Sequence, residues 1–293
     1  MNHPSDDVQE CNLCGSGLFH TIEDSSVHLV ICRTCSLIFI ENPQSRRFYQ
    51  DLYRKRYGFD VRSPRNSKGL DKKNDCLARW ISSNLEVKDS KLRLLEVGCS
   101  SGYLLKALER QEYELYGVEP GEGAAKFFRD HNRLADIENC FFEETAYPEY
   151  SFDAVLLIQT FEHAIHPTEF LSKVRSLLKS NGKLFIEVPD ALAIDGVYRW
   201  GLYPSANHLY IYSTVTLSLS LEKCGFKILN LRKSRGNIRI IAGKSEPKAL
   251  NSQISKENYK KFLLINAINK RLVRVKIILE GIARAALRRI RKY

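Results

Sequence analysis

The chain has 293 residues, 44% of them hydrophobic and 27% charged, with eight cysteines and a formal net charge of +11. That length supports a full hydrophobic core in one large domain with appendages or in two modest ones, and the composition is that of an ordinary globular protein. The polar, acidic start MNHPSDDVQEC lacks the basic and apolar regions of a signal peptide, and no apolar stretch is long and charge-free enough to span a membrane, so a cytoplasmic protein is expected.

Residues 1–42 hold two C-x-x-C pairs, Cys11/Cys14 and Cys32/Cys35, with strand-like pieces VHLVIC and LIFIEN. Four thiolates at this spacing can close a tetrahedron, and four-cysteine sites are typically structural zinc; Gly15 fits the tight turn of the first knuckle. A mononuclear iron site or a redox dithiol is the alternative. With all four ligand positions filled, no open position for catalysis is expected. In a reducing compartment Cys76, Cys99, Cys140 and Cys224 read as small buried hydrophobes. Residues 43–91 read as a polar connector with helical patches, broken at Gly58, Pro64 and Gly69.

From Leu92 to about residue 245, short apolar runs alternate with amphipathic helices. LRLLEVG, ELYGVEP, ENCFFEE, SFDAVLLIQ and GKLFIEVP are predicted strands. GYLLKALERQ, GAAKFFRDHN, PTEFLSKVRSLLK and TVTLSLSLEKCG are predicted helices, and FKILNLRKS with NIRIIAG a closing hairpin. Such alternation predicts an α/β fold, a mostly parallel sheet with helices on both faces.

The turn EVGCSSG, Glu96 to Gly102, joins the first of these strands to its helix. A dinucleotide fingerprint G-x-G-x-x-G would need glycine where Ser100 and Tyr103 stand, and no Lys-Ser/Thr pair follows Gly102 as in a phosphate loop, so nicotinamide and nucleoside triphosphate readings are disfavoured. Glu119 ends the next strand in YGVEPG, where a carboxylate can accept hydrogen bonds from both ribose hydroxyls of an adenosine. Glycine turn and acid, at successive strand ends, mark the crevice where such sheets bind ligands.

On these residues the segment 92–243 resembles a class I S-adenosylmethionine-dependent methyltransferase. LLEVGCSSGYLL is similar to its first motif, GVEPG to its ribose-binding acid, and FDAVLLIQTFEHAIHPTEFLSKVRSLLKSNGKLFIEVPD to its fourth strand, the helix after it and its fifth strand. The resemblance implies a seven-stranded Rossmann-like sheet with the last strand antiparallel. It also implies that Glu96, Gly98, Ser100 and Gly102 meet the methionine end of S-adenosylmethionine, Glu119 the ribose, Gln159 the cofactor from the fourth strand, and the segment around Glu143 and Glu144 the adenine. Ser100 stands where the family has its middle glycine. LVICRTCSLIFIENP followed by FYQDLYRKRY resembles the zinc-binding segment that precedes this domain in sugar C-methyltransferases and relatives from bacterial glycan pathways, extending the likeness over most of the chain up to about residue 245.

If the acceptor must lose a proton, histidine suits the role of base. His163, His166 and His208 fall where the carboxyl edge of the sheet is expected, and Tyr203, Tyr210 and Tyr212 around His208 read as aromatic walls for a sugar-like acceptor. His163 and His208 are the candidate catalytic residues. Equally, His163 could hold its loop through Glu162, and His208 could be a packing residue. The sugar C-methyltransferases have a glutamate before the comparable histidine; here it is Asn207, so O- and N-methylation stay open beside C-methylation.

Residues 246–293 read as a linker and a basic helical tail. Twelve Lys or Arg against two acids between Lys256 and Tyr293 supply ten of the eleven net positive charges. Ile265, Ile268, Leu272, Val275, Leu279, Ile282 and Ala286 form one apolar stripe, with Lys270, Arg274, Arg284, Arg288 and Arg291 on another face. Such a helix fits an anionic membrane surface, or packs on its own domain or a second copy; nucleic acid is disfavoured because no aromatic platform accompanies the charges. The expected whole is a cytoplasmic methyltransferase, peripheral to the inner membrane face, that uses S-adenosylmethionine and structural Zn²⁺ and acts on a sugar, sugar nucleotide or glycolipid. An RNA- or protein-directed methyltransferase and a non-catalytic adaptor on the same fold are the alternatives.

Overall fold

The structure is a computed structural model that describes residues 9–22, 28–56, 67–86, 91–109, 113–131, 135–192, 208–234 and 236–249. The basic tail, Tyr203 and Asn207 lie outside the described residues. The chain begins with β1 (Phe19–Ile22), β2 (Leu29–Cys32) and β3 (Ile38–Ile40), then α1 (Arg46–Arg56) and α2 (Ser67–Ser82). There follow β4 (Leu92–Val97), α3 (Tyr103–Leu108), β5 (Tyr113–Val118), α4 (Glu122–His131), β6 (Ala135–Glu138), β7 (Phe152–Ile158), α5 (Pro167–Leu177) and β8 (Leu178–Pro189). The last elements are β9 (Tyr210–Ile211), α6 (Thr214–Lys223), β10 (Phe226–Ser234) and β11 (Asn237–Lys244).

Seven strands form the main sheet in the order β10-β11-β8-β7-β4-β5-β6. β4 to β8 pair in parallel, whereas β11 runs antiparallel to both β8 and β10. The central strands are apolar on both faces because both faces are covered. Alternate residues of one strand serve opposite cores: Leu95 and Val97 face one with Phe170 and Leu217, Leu92 and Leu94 the other with Trp80, Leu105 and Phe128. This is the Rossmann-like α/β architecture expected, with the antiparallel strand in place. Among the described residues no helix is long and apolar enough to cross a membrane.

Three readings need correction. ENCFFEE is not a strand: the edge strand is the preceding β6, and Phe142–Glu144 is a single 3₁₀ turn. Its apolar residues have no strand period because Phe142 turns inward onto Phe170, ring centroids 4.8 Å apart. The connector 43–91 contains a full helix, α2, which runs through Gly69 and covers the sheet with Leu77, Trp80 and Ile81, Trp80 meeting Phe185 edge-on at 5.4 Å. Cys76 is exposed rather than buried, because it falls just off that apolar stripe, while Cys99 and Cys224 are buried as expected and Cys140 is half-buried.

The cysteine segment does not stand apart. A second, antiparallel sheet has the order β1-β2-β3-β9, with Ile38 opposite Ile211 and Phe39 opposite Tyr210. Val30, Ile31 and Phe39 share one core with Phe161, Tyr212 and Leu217. Packing thus runs across the compositional boundary at residue 42.

Candidate cofactor and acceptor site

The turn after β4 is built on left-handed backbone. Gly98 has φ +72° and Gly102 φ +71°, and a Cβ on Gly102 would lie 1.7 Å from the Phe128 ring, one on Gly98 2.8 Å from Thr160 Oγ1. Both positions therefore require glycine. Ser100, at the family's middle glycine, also adopts a left-handed conformation, φ +49°. The departure leaves the turn's shape intact at a local backbone cost of about 1 kcal/mol. Gly98 N and Cys99 N donate to Val118 O at 2.8 and 3.1 Å, tying the turn to β5.

Glu119, at the end of β5, is buried, and its carboxylate is clamped by backbone: Ser100 N donates to Oε2 at 2.8 Å and Gly121 N to Oε1 at 2.7 Å. Burial raises its pKa, and these two N–H groups oppose the rise. Turn and acid are one hydrogen-bonded unit. Behind them lies Glu96, also buried, with Oε2 lacking a hydrogen-bond partner among the described residues. Burial first, and then the Glu119 carboxylate, push Glu96 well above the usual carboxylate range.

A cleft of about 350 Å³ opens at this edge of the sheet. Of the residues singled out in the sequence, Gly98, Ser100, Glu119, Gln159, His163 and Glu143 line it. Glu96 and Gly102 stand behind its wall, and Glu144 instead accepts from Phe141 N at 3.2 Å. Gln159, the residue after β7, has φ +57°, a sparsely populated conformation of the kind that collects at functional sites. Its Nε2 donates to Glu187 Oε1 at 3.3 Å. Tyr49 and Tyr53, from the supposed connector, also line the cleft. Their four-residue spacing puts them on one face of α1, and that spacing was the available signal.

Tyr53 Oη lies 2.9 Å from His163 Nδ1, and the His163 ring meets edge to face at 4.8 Å that of His208, which is itself off the cleft lining. His163 is thus oriented by Tyr53. Burial, and then the neighbouring His163, pull His208 down to about 3, so its imidazole is neutral at physiological pH. His166 caps the start of α5, exposed and off the cleft lining. Tyr210 and Tyr212 are not walls of the cleft but buried core residues: Tyr212 stacks on Phe161 at 5.1 Å, and Tyr210 Oη accepts from Asn12 Nδ2 at 3.3 Å. β9 pairing with β3 turns both inward.

The four cysteines converge. Cys11 and Cys35 Sγ are 3.4 Å apart, Cys14 and Cys32 Sγ 3.5 Å, and all four sulfurs lie within 4.8 Å of one another. A tetrahedral zinc would set sulfurs about 3.8 Å apart, so the residues fit that ion. Each pair is followed by a left-handed residue, Gly15 (φ +71°) and Ser36 (φ +65°), whose N–H returns to the first cysteine's carbonyl at 2.7 and 2.9 Å. Lys223 Nζ holds the first knuckle through Asn12 O (3.1 Å) and Leu13 O (2.8 Å).

Residues 71–231 match the family described as "Methyltransferase domain". The chain belongs to this methyltransferase family. Its domain is 34% identical over 121 residues to the ubiquinone biosynthesis O-methyltransferase of Bradyrhizobium diazoefficiens, covering 37% of this chain and 48% of that protein. It is 28% identical over 156 residues to the tRNA U34 carboxymethyltransferase of Idiomarina loihiensis, covering 47% and 46%. The chain thus spans about half the length of these relatives. Among solved structures, the 1,6-didemethyltoxoflavin-N1-methyltransferase of Burkholderia thailandensis, with S-adenosylhomocysteine bound, has the same fold: TM-score 0.52, 13% identity, 78% of this chain and 99% of that one. The methyltransferase domain therefore places its cleft at the strand ends where β4, β5 and β7 finish.

Proposed function

We propose that the protein is an S-adenosylmethionine-dependent methyltransferase acting on a small or glycan-linked acceptor. The observation that carries this reading is the unit of Glu119 clamped to the left-handed turn at the mouth of the cleft. The bound cofactor supplies an electrophilic methyl group on a sulfonium. Glu119, each oxygen holding one backbone N–H, keeps acceptor capacity for the two ribose hydroxyls. Gly98 lines the cleft at the sheet edge, and Glu96, buried off that lining, is the acid that the resemblance assigns to the amino-acid end. Gln159 and Glu143 flank the same space. Transfer requires acceptor atom, methyl and sulfur in line with water excluded, and Tyr49 and Tyr53 form part of the enclosing wall. His163, oriented by Tyr53 and backed by neutral His208, is assigned the proton that an acceptor hydroxyl or amine loses.

The resemblance of the cysteine segment to sugar methyltransferases supports a sugar, sugar nucleotide or glycolipid acceptor, with structural zinc in the four-cysteine site. The basic segment 256–293 supports contact with an anionic membrane surface at the cytoplasmic side. A relative named for a tRNA nucleoside gives weight to RNA as a second reading. The test is transfer of labelled methyl from S-adenosylmethionine to panels of sugar nucleotides, polyhydroxylated aromatics and tRNA. Label in a small molecule, lost in Glu119→Ala and His163→Ala, supports the proposal. Label in tRNA that disappears steeply with salt moves the acceptor to nucleic acid, and no transfer by folded protein favours an adaptor.

A further inference from the structure

We propose that Glu162, His163 and His208 form a divalent-cation site beside the cleft, which His163 alone of the three lines, separate from the four-cysteine cluster. Its occupant would hold an acceptor through two adjacent oxygen atoms, as in a vicinal diol. The ligand atoms of these three residues lie within 4.8 Å of one another. Glu162 is 1% exposed, and neither carboxylate oxygen has a hydrogen-bond partner among the described residues. A carboxylate in that position is costly unless a cation or a proton compensates it. Lys73 acts on this carboxylate only electrostatically, since its ammonium pairs with Glu187 at 3.7 Å and makes no hydrogen bond to Glu162.

The imidazoles are arranged as ligands. The Tyr53 hydroxyl lies 2.9 Å from His163 Nδ1 and fixes the ring, the outer-sphere contact usual for metal-bound histidine. His208 reaches the same point from the start of β9, its ring 4.8 Å from that of His163. Two imidazoles and one carboxylate leave further coordination positions open, unlike the closed thiolate set, and suit ions that also accept oxygen ligands. A Glu162–imidazole proton relay is the competing arrangement, but no hydrogen bond joins Glu162 to either ring in this structure. With the cation bound, His163 would be a ligand instead of the proton acceptor, and a coordinated hydroxyl, made more acidic, would lose its proton to solvent. The acceptor class rests on the methyltransferase reading; the cation site does not.

Mn²⁺ is the probe, because as a hard ion it leaves zinc on four thiolates undisturbed. Full-length, zinc-loaded protein should bind one Mn²⁺ per chain, and electron spin-echo modulation should show coupling to two imidazole nitrogens. Affinity should fall by more than roughly tenfold in Glu162→Gln and in His208→Ala, with zinc content and S-adenosylhomocysteine binding retained. No Mn²⁺ binding, binding without nitrogen coupling in the wild type, or equal affinity in the folded variants would overturn the site and favour the proton relay. If Mn²⁺ binds as described but S-adenosylhomocysteine does not, the methyltransferase reading fails and the cation site stands.

Discussion

The two halves of the cleft are built differently. The cofactor half is local: Gly98, Ser100 and Glu119 lie within 22 residues of sequence, at the ends of two adjacent parallel strands, and backbone hydrogen bonds fix every one of them. The half proposed for the acceptor is assembled over distance, from Tyr53 in α1 and His163 beyond β7, with His208 before β9 packed against His163 off the cleft lining. What holds it is the β3–β9 pairing, Ile40 N to Leu209 O at 3.1 Å, and the clamp of Lys223 on the cysteine knuckle. The turn and Glu119 are held by adjacent strand ends alone; Tyr53, His163 and His208 come together only with the second sheet in place.

The sharpest way to separate the halves is to break the cysteine cluster. Cys11→Ser with Cys35→Ser should abolish zinc binding and erase hydrogen-exchange protection along β2, β3 and β9, because a structural zinc site carries much of its module's folding energy. Retained protection at β9 would mean that the knuckle does not position His208. Next in size is the cofactor half. Gly102→Ala pushes a methyl into Phe128 and holds alanine at positive φ, a destabilisation of about 3 kcal/mol that thermal unfolding would register.

How much of this was legible in sequence follows the same division. That Gly98 and Glu119 share one cleft was legible because strand, turn and acid recur at fixed short spacing, and the convergence of the four cysteines because metal geometry restricts knuckle length. Tyr53 was legible only as sharing a helix face with Tyr49, a spacing that does not reveal that α1 returns to the mouth of the sheet. Tyr210 and Tyr212 read as walls because they neighbour His208 in sequence, and only the pairing of β9 with β3 turns them into the core. Phe141 and Phe142 look like a strand in isolation, and only the pocket beside Phe170 makes them a turn.

Two smaller effects sharpen the account of the cofactor half. Glu96 binds its proton more tightly folded than unfolded, so between the usual carboxylate pKa near 4.5 and its raised folded value the native state holds more protons and loses stability as pH rises. Glu96→Gln should therefore gain on the wild type as pH increases through that window, measured by denaturant unfolding at several pH values; parallel curves would show Glu96 to be ionised normally. Smallest is Ser100→Gly, which relieves the left-handed strain but adds freedom to the unfolded chain. Its melting temperature should stay within about 2 °C of the wild type, with cofactor affinity unchanged.

The central claim is that the unit of Glu119 and the Gly98–Gly102 turn is a methyl-donor site. Calorimetric titration of full-length, zinc-loaded protein with S-adenosylhomocysteine addresses it most directly. The account predicts one-to-one binding by the wild type and a loss of roughly thirtyfold or more in Glu119→Ala, the equivalent of about 2 kcal/mol for hydrogen bonds to a carboxylate. Absence of binding by folded wild-type protein, or equal affinity in the variant, would contradict it.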